Sequence, residues 1–376
     1  MKVALVIIVA LQMVIGCAGP RAVTGLGSTQ TVGTNYNDVI PLLIATARTR
    51  SDDLNIAYSR GRSDEVNFST VDVVIPKMHR SGNVETSSSV PDPRRHFSAI
   101  DYSKIANDQA MINEINRRLS PRPVSQREIF IFVHGYNNNF AEGIFRNAQI
   151  VHDYDIGSLP IHFSWASAGN FTRYLYDRDS AFIARDALAE TLQLASQTNA
   201  SGIIIVGHSM GAVVVMEALR TLSMRKQKDT LKRIKGVLLA APDLDPDLFR
   251  SQLSDVDPIP KPFTIIVSRR DRALDISRRL TGGDARVGSG ADIELLQSKN
   301  IQVLDTSQVD GGGHTTFASS GTLIKLLRSG PLLRRLITDE YAGLDDTFVA
   351  AGQGTFEQAS LALHLPARVL DRLSAR

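Results

Sequence analysis

A single cysteine in 376 residues excludes any internal disulfide framework, so the fold has to rest on a buried core. Charge of one sign is equally scarce. Forty-two Lys and Arg stand against 39 Asp and Glu, a formal +3, which gives no reason to invoke nucleic acid as a partner. Aromatic residues make up 6% of the chain, with one tryptophan, Trp165. No H-E-x-x-H or C-x-x-C occurs, so no metal and no organic cofactor are expected. Arginine pairs such as Arg269-Arg270, Arg278-Arg279 and Arg334-Arg335 read as solvated helix faces. Long apolar runs are missing everywhere except at the start. Val3 to Ile15 is interrupted only by Gln12 and is preceded by the lone charge Lys2. That stretch is short for a membrane span and has the form of a secretory signal peptide.

Cys17 follows Val14-Ile15-Gly16. The junction resembles the lipobox of bacterial lipoproteins, where cleavage precedes a cysteine that becomes lipid-modified. The resemblance implies a protein tied to the cell envelope by a lipid on Cys17, and Ala18 implies the outer membrane, facing the periplasm. The expected organisation is a signal peptide over 1–16, a flexible tether over 17–40, an α/β domain over 41–335, and a C-terminal tail over 336–376 in which Pro366 interrupts any single helix. Twenty Gly-, Ser-, Thr- and Asn-rich residues from 18 to 37 would span about 25 Å if unstructured.

Strand-forming sequence appears at 54–58 and 71–75, and residues 81–98 read as a loop. From residue 128 buried strands alternate with helical patterns. Strands are expected at 129–133, 161–165, 203–206, 236–240, 263–267 and 301–304. Phe140, Ile144, Ala148 and Val151 share one helical face, a long helix is expected over 179–197, and another from Met210 to Leu222. Such alternation predicts a mostly parallel sheet with helices on both faces.

The strongest chemical signal lies at the third of these strands. Ile203 to Val206 runs into Gly207-His208-Ser209-Met210-Gly211, and an apolar helical pattern follows. Strand, sharp turn and helix with serine at the apex is the context of a G-x-S-x-G nucleophile elbow. A serine hydroxyl needs a base, and the base needs an orienting group. In this architecture serine, acid and histidine follow in that order. Asp271 comes just after the 263–267 strand, with Asp243 as an alternative acid, and His314 lies late, behind three glycines. Backbone N–H groups of Met210 and Tyr136 are candidate oxyanion donors. His208 is expected beside the strand, His134 in the oxyanion loop, and His152 and His364 in surface or structural roles. Trp165, Phe171, Tyr174 and Tyr176 are candidates for an acyl pocket, although they could equally cover the sheet.

Several blocks together resemble a family of bacterial alpha/beta-hydrolase lipoproteins catalogued as a domain of unknown function. They are Phe-Val-His-Gly-Tyr-Asn (132–137), Phe-Ser-Trp-Ala-Ser-Ala-Gly (163–169), Tyr-Asp-Arg-Asp-Ser-Ala (176–181), His-Ser-Met-Gly (208–211), Ala-Pro-Asp-Leu-Asp-Pro-Asp-Leu-Phe (241–249) and Ser-Arg-Arg-Asp-Arg-Ala-Leu (268–274). The resemblance, from about residue 54 to 330, implies an alpha/beta-hydrolase fold, with Ser209 as nucleophile, Asp271 as acid and His314 as base. Relatives usually have proline where this chain has Ala166. The expected chemistry is cleavage of a small-molecule or lipid ester through an acyl-enzyme, with turnover falling as His314 becomes protonated. An amide or peptide hydrolase with the same triad, and a non-catalytic lipoprotein that kept the fold, are the alternatives. Substrate identity and oligomeric state are not written in the residues.

Overall fold

The computed structural model describes residues 21–26, 36–291, 293–328, 333, 336 and 362–364. The signal peptide and Cys17 lie outside them. In chain order the elements that matter are β1 (Tyr36–Arg50), β2 (Tyr58–Pro76), β3 (Ser98–Ile105), α1 (Asp108–Leu119), β4 (Ile129–Val133), α2 (Phe140–Asp153) and β5 (Leu159–Ser164). Then come α3 (Tyr174–Ile183), α4 (Arg185–Ser196), β6 (Ile203–His208), α5 (Gly211–Met224), α6 (Lys228–Arg233), β7 (Ile234–Ala240), α7 (Pro246–Ser254), β8 (Phe263–Val267) and α8 (Arg272–Thr281). The chain continues through α9 (Ile293–Ser298), β9 (Gln302–Asp305), α10 (Thr316–Ser319), α11 (Gly321–Leu327) and β10 (Ala362–His364).

The strands form one sheet in the order β10-β9-β8-β7-β6-β4-β5-β1-β2-β3. From β9 to β1 every neighbouring pair is parallel; β2, β3 and β10 run antiparallel at the two ends. The period-2 alternation of a strand divides each hydrophobic run between two cores. Ile129, Ile131, Val133, Ile203 and Ile205 join α1, α4 and α5 on one face. Phe130, Phe132, Ile204 and Val206 join α2 and the 317–327 region on the other. Continuous apolar strands are what a sheet covered on both sides demands. This is the α/β architecture expected from the sequence.

Strand order reverses between β4 and β6. The chain leaves β4 for β5 on one side, then returns to place β6 on the other side of β4. The helix after β4, α2, packs on one face and the helix after β6, α5, on the opposite face. Their connections therefore diverge, and the carboxyl ends of these two strands form the switch point at which open α/β sheets place a ligand crevice.

The tether expected over 17–40 does not extend over the described part of that range. Ala22 and Thr24 are buried, the N–H of Val23 and of Thr24 bond the carbonyls of Ser87 and Asn55, and β1 begins at Tyr36. Polar composition misled here because backbone pairing and long-range partners, with Arg21 bonding Asn137 and Thr24 bonding Leu54, hold residues 21–26 in place. Pro41 likewise masks the strand character of Leu42 to Ala47, yet it is accommodated opposite Asp72 of β2. Residues 54–57 form a turn rather than a strand, and the helix expected over 179–197 breaks at Ala184. Of the tail, Ala362–His364 pairs antiparallel with β9.

Candidate active site

Ser209 takes φ of +53°, in the left-handed region, as the chain turns from β6 into α5. Its N–H bonds the carbonyl of Ala240, and its own carbonyl accepts from the N–H of Asp243, which locks the turn to the exit of β7. The flanking glycines are required by close approach. A Cβ on Gly207 would come 2.9 Å from Val215 Cγ2, and one on Gly211 would lie 2.5 Å from the carbonyl oxygens of Val133 and His134. A Cβ on Gly135, after β4, would meet Ser209 Cβ at 3.0 Å. The serine is thus pressed against the crevice wall that β4 supplies, and is 4% exposed.

Tyr136 follows Gly135 on that wall, and Met210 follows Ser209. Among the described residues neither backbone N–H donates to another protein group. Two unspent donors flanking one hydroxyl are what an oxyanion site needs. The loop that carries Tyr136 is held by residues that no catalytic motif in the sequence contains. Asp177 accepts from Ser167 Oγ at 2.5 Å, the Ala168 N–H at 2.6 Å and the Asn137 N–H at 3.2 Å. Arg48, buried in β1, donates to Ser164 Oγ at 2.8 Å and to the carbonyls of Ser167 and Asn138, both at 2.9 Å. Burial lowers its pKa to about 10, against the attraction of Asp177. A lone arginine among Ala45, Thr46 and Ala47 was the only sequence signal for it, and Asp177 was visible only as part of a family block.

His314 reaches the site on the connection after β9. Gly311 and Gly312 have φ of +85° and +62°, and a Cβ on Gly312 would strike Ser307 O at 2.6 Å. Ser268 Oγ donates to Gly312 O at 2.6 Å. His314 Nδ1 lies 2.7 Å from Asp271 Oδ2. The carboxylate is fully buried, and its other oxygen caps α8 by accepting from the N–H groups of Ala273 and Leu274 at 3.0 and 3.1 Å. One carboxylate thereby fixes both the helix and the imidazole. The His314 ring lies 4.9 Å from that of His208, whose Nε2 meets the His314 carbonyl at 3.3 Å. So the structure joins His314 directly to Asp271 and brings it to the elbow through the residue preceding Ser209. Among the described residues no hydrogen bond links Ser209 Oγ to His314; such contacts commonly tighten only when substrate is bound.

Asp243 is committed elsewhere. It accepts from Ser277 Oγ at 2.6 Å and Tyr174 Oη at 3.0 Å, and pairs with Arg286 at 3.3 Å. Its recorded partners do not include His314. His134 stacks on Trp165 at 5.1 Å and His162 at 5.6 Å, and its carbonyl accepts from Trp165 Nε1 at 2.7 Å. Burial, aided by Arg48, holds its pKa down to about 3, so this ring is neutral and cannot accept a proton. His208 is likewise pushed well below the usual histidine range by burial and by His314. Trp165 is wholly buried and braces the His134 loop. Tyr174 is buried against Tyr136 at 5.4 Å, Phe171 accepts from the Tyr136 hydroxyl through its carbonyl, and Tyr176 turns toward β2, donating to Arg60 O at 2.9 Å.

Residues 107–330 match the family described as alpha/beta hydrolase of unknown function, DUF900. No curated protein matches the chain. Among solved structures it is similar to an esterase from the fungus Rhizomucor miehei at 13% identity and a TM-score of 0.35, covering 78% of this chain and 84% of that one. It is also similar to a Pyrobaculum calidifontis esterase at 10% identity and a TM-score of 0.31, covering 70% and 78%. Likenesses so distant carry no argument about activity.

Proposed function

This chain belongs to the DUF900 family of alpha/beta hydrolases of unknown function, and from that premise we propose that it is a serine esterase acting on carboxylic esters. Ser209 attacks the ester carbonyl while His314 takes its proton. Asp271 holds the imidazole with Nδ1–H directed at the carboxylate, leaving Nε2 to work as base, and stabilises the imidazolium once formed. The N–H groups of Met210 and Tyr136 receive the oxyanion. The alcohol departs with the proton returned from His314, and water, activated by the same ring, releases the acid. The observation that carries the reading is the 2.7 Å bond from His314 to the buried Asp271, placed beside an elbow whose serine is strained at positive φ.

Labelling with a fluorophosphonate tests it. The protein as isolated should react covalently, whereas Ser209→Ala and His314→Ala should not. Labelling that survives Ser209→Ala refutes the assignment. Comparing hydrolysis of short-chain esters, long-chain esters and peptide amides then separates an esterase from an amidase. From the lipobox resemblance at Val14 to Cys17 we further propose that the enzyme sits on the cell envelope, held at the outer membrane by a lipid on Cys17 near acyl-chain substrates. Cys17→Ser should release it from the membrane fraction.

A further inference from the structure

Away from the crevice, four ionisable side chains from two segments converge at the end of α2. His79 Nε2 lies 2.9 Å, and His152 Nδ1 3.0 Å, from one and the same oxygen, Asp153 Oδ1. These three atoms lie within 4.8 Å of one another. The remaining nitrogen of His79, Nδ1, meets Glu85 Oε2 at 2.9 Å. The second oxygen of Asp153 accepts from the Gly82 N–H at 2.7 Å and Gln149 Nε2 at 2.6 Å. None of these side chains has a part in the ester chemistry.

We propose that His79, His152 and Asp153 bind a divalent transition-metal ion of the Zn²⁺ type. Two imidazole nitrogens and one carboxylate oxygen are the donor set such ions take, whereas harder ions prefer oxygen alone. With bonds of about 2.0–2.1 Å, neighbouring ligand atoms of a tetrahedral shell stand about 3.3–3.4 Å apart, so a shift of a few tenths of an ångström from the nitrogen-to-oxygen separations here would seat the ion. The outer partners are also in place. Glu85 orients His79 from behind, as carboxylates do for metal-bound histidines, and Gly82 with Gln149 fix the free oxygen of Asp153. His79 is almost fully enclosed, while His152 is 19% exposed and marks the way in, leaving room for water as a further ligand.

Each imidazole binds the ion through a nitrogen lone pair, so a proton on His79 Nε2 or His152 Nδ1 passes to solvent or to the far ring nitrogen, and the His79 Nδ1 side stays with Glu85. The buried Arg146, within electrostatic reach of Asp153 and Glu85, opposes the added charge and moderates affinity. A bound ion would join the connection after β2 to the end of α2. Gln149 extends that junction to Ala318 O at 3.1 Å, and Tyr154 donates to Phe317 O, both on the turn that follows His314.

The test titrates the full protein, stripped with chelator, with ZnCl₂ by calorimetry and thermal unfolding. One ion should bind per chain, and the melting temperature should rise. His152→Ala, at the partly exposed ligand and so able to fold, should abolish this binding. Glu85→Gln should weaken it about 10–100-fold, the usual cost of losing an outer-shell partner. Ser209→Ala should bind as the parent does, which separates the site from the esterase reading. No saturable binding by the parent, or undiminished binding by both His152→Ala and Glu85→Gln, overturns the proposal.

Discussion

Acid should unfold this protein through two histidines that never leave the core. His134 and His162 are respectively 1% and 0% exposed and stack on one another beneath the exit of β4. Burial lowers both pKa values, that of His134 to about 3. In the unfolded chain each titrates near about 6.5. Between those values the unfolded state takes up protons that the folded state refuses, so stability rises with pH and is lost as pH falls below about 6.5. From pH 7 to pH 5 the loss works out at about 2 kcal/mol for His134, and His162 adds a loss of the same sign. His79 acts in the opposite direction. Burial alone would lower its pKa, but its hydrogen bonds to Asp153 and Glu85 prevail and raise it. Its contribution is fully present below about 6.5 and is lost as pH climbs through the folded value, so it partly offsets that loss over the same interval. Against a typical domain's stability of about 5–15 kcal/mol, the loss at His134 alone is substantial. Urea unfolding at pH 7, 6 and 5 measures it directly. The discriminating variant is His162→Leu. Both ring nitrogens of His162 are buried without a hydrogen-bond partner among the described residues, so removing them should stabilise the fold at pH 7 and reduce the acid loss. An acid loss unchanged in His162→Leu would refute the reasoning.

Other outcomes follow from the same contacts. Asp271→Asn keeps an oxygen to cap α8 but presents N–H to His314 Nδ1, forcing the wrong tautomer. On the proposed chemistry kcat should fall by about 10⁴ with little change in unfolding free energy, a split that kinetics and denaturation together would reveal. Arg48→Met should leave the carbonyls of Ser167 and Asn138 without their donor, costing about 3 kcal/mol in denaturant unfolding. Gly211→Ala should push the 133–135 backbone away from the elbow, lowering fluorophosphonate labelling at least as sharply as stability. Gly282→Ala is the contrasting control: its added Cβ meets nothing within 4 Å, and the left-handed conformation alone should cost about 1 kcal/mol.

Periodicity was legible wherever a segment's partners were also apolar. Runs such as Ile203–Val206 and Phe263–Val267 are buried on both faces, and nothing but a covered parallel strand accepts them. The elbow could be read because its demands are local: a positive φ at Ser209 and side-chain-free positions on either side. Order along the chain likewise placed Asp271 and His314 among the candidates. Long-range pairing was not legible. β1 forms because β2 and β5 flank it, not because of its own pattern, which Pro41 and Arg48 interrupt.

Local sequence alone therefore determined the strand–turn–helix at Ser209 and the two-sided burial of the central strands, since steric and hydrophobic constraints act over a few residues. Tertiary structure alone decided that Asp271 rather than Asp243 meets His314, because each carboxylate goes to whichever donors the sheet edge brings within about 3 Å. It also decided that the connections after β4 and β6 leave to opposite faces, that Arg48 and Asp177 pin the loop after β4, and that Trp165 lies within the core. Those outcomes depend on distances between residues far apart in the chain, which composition and spacing do not encode.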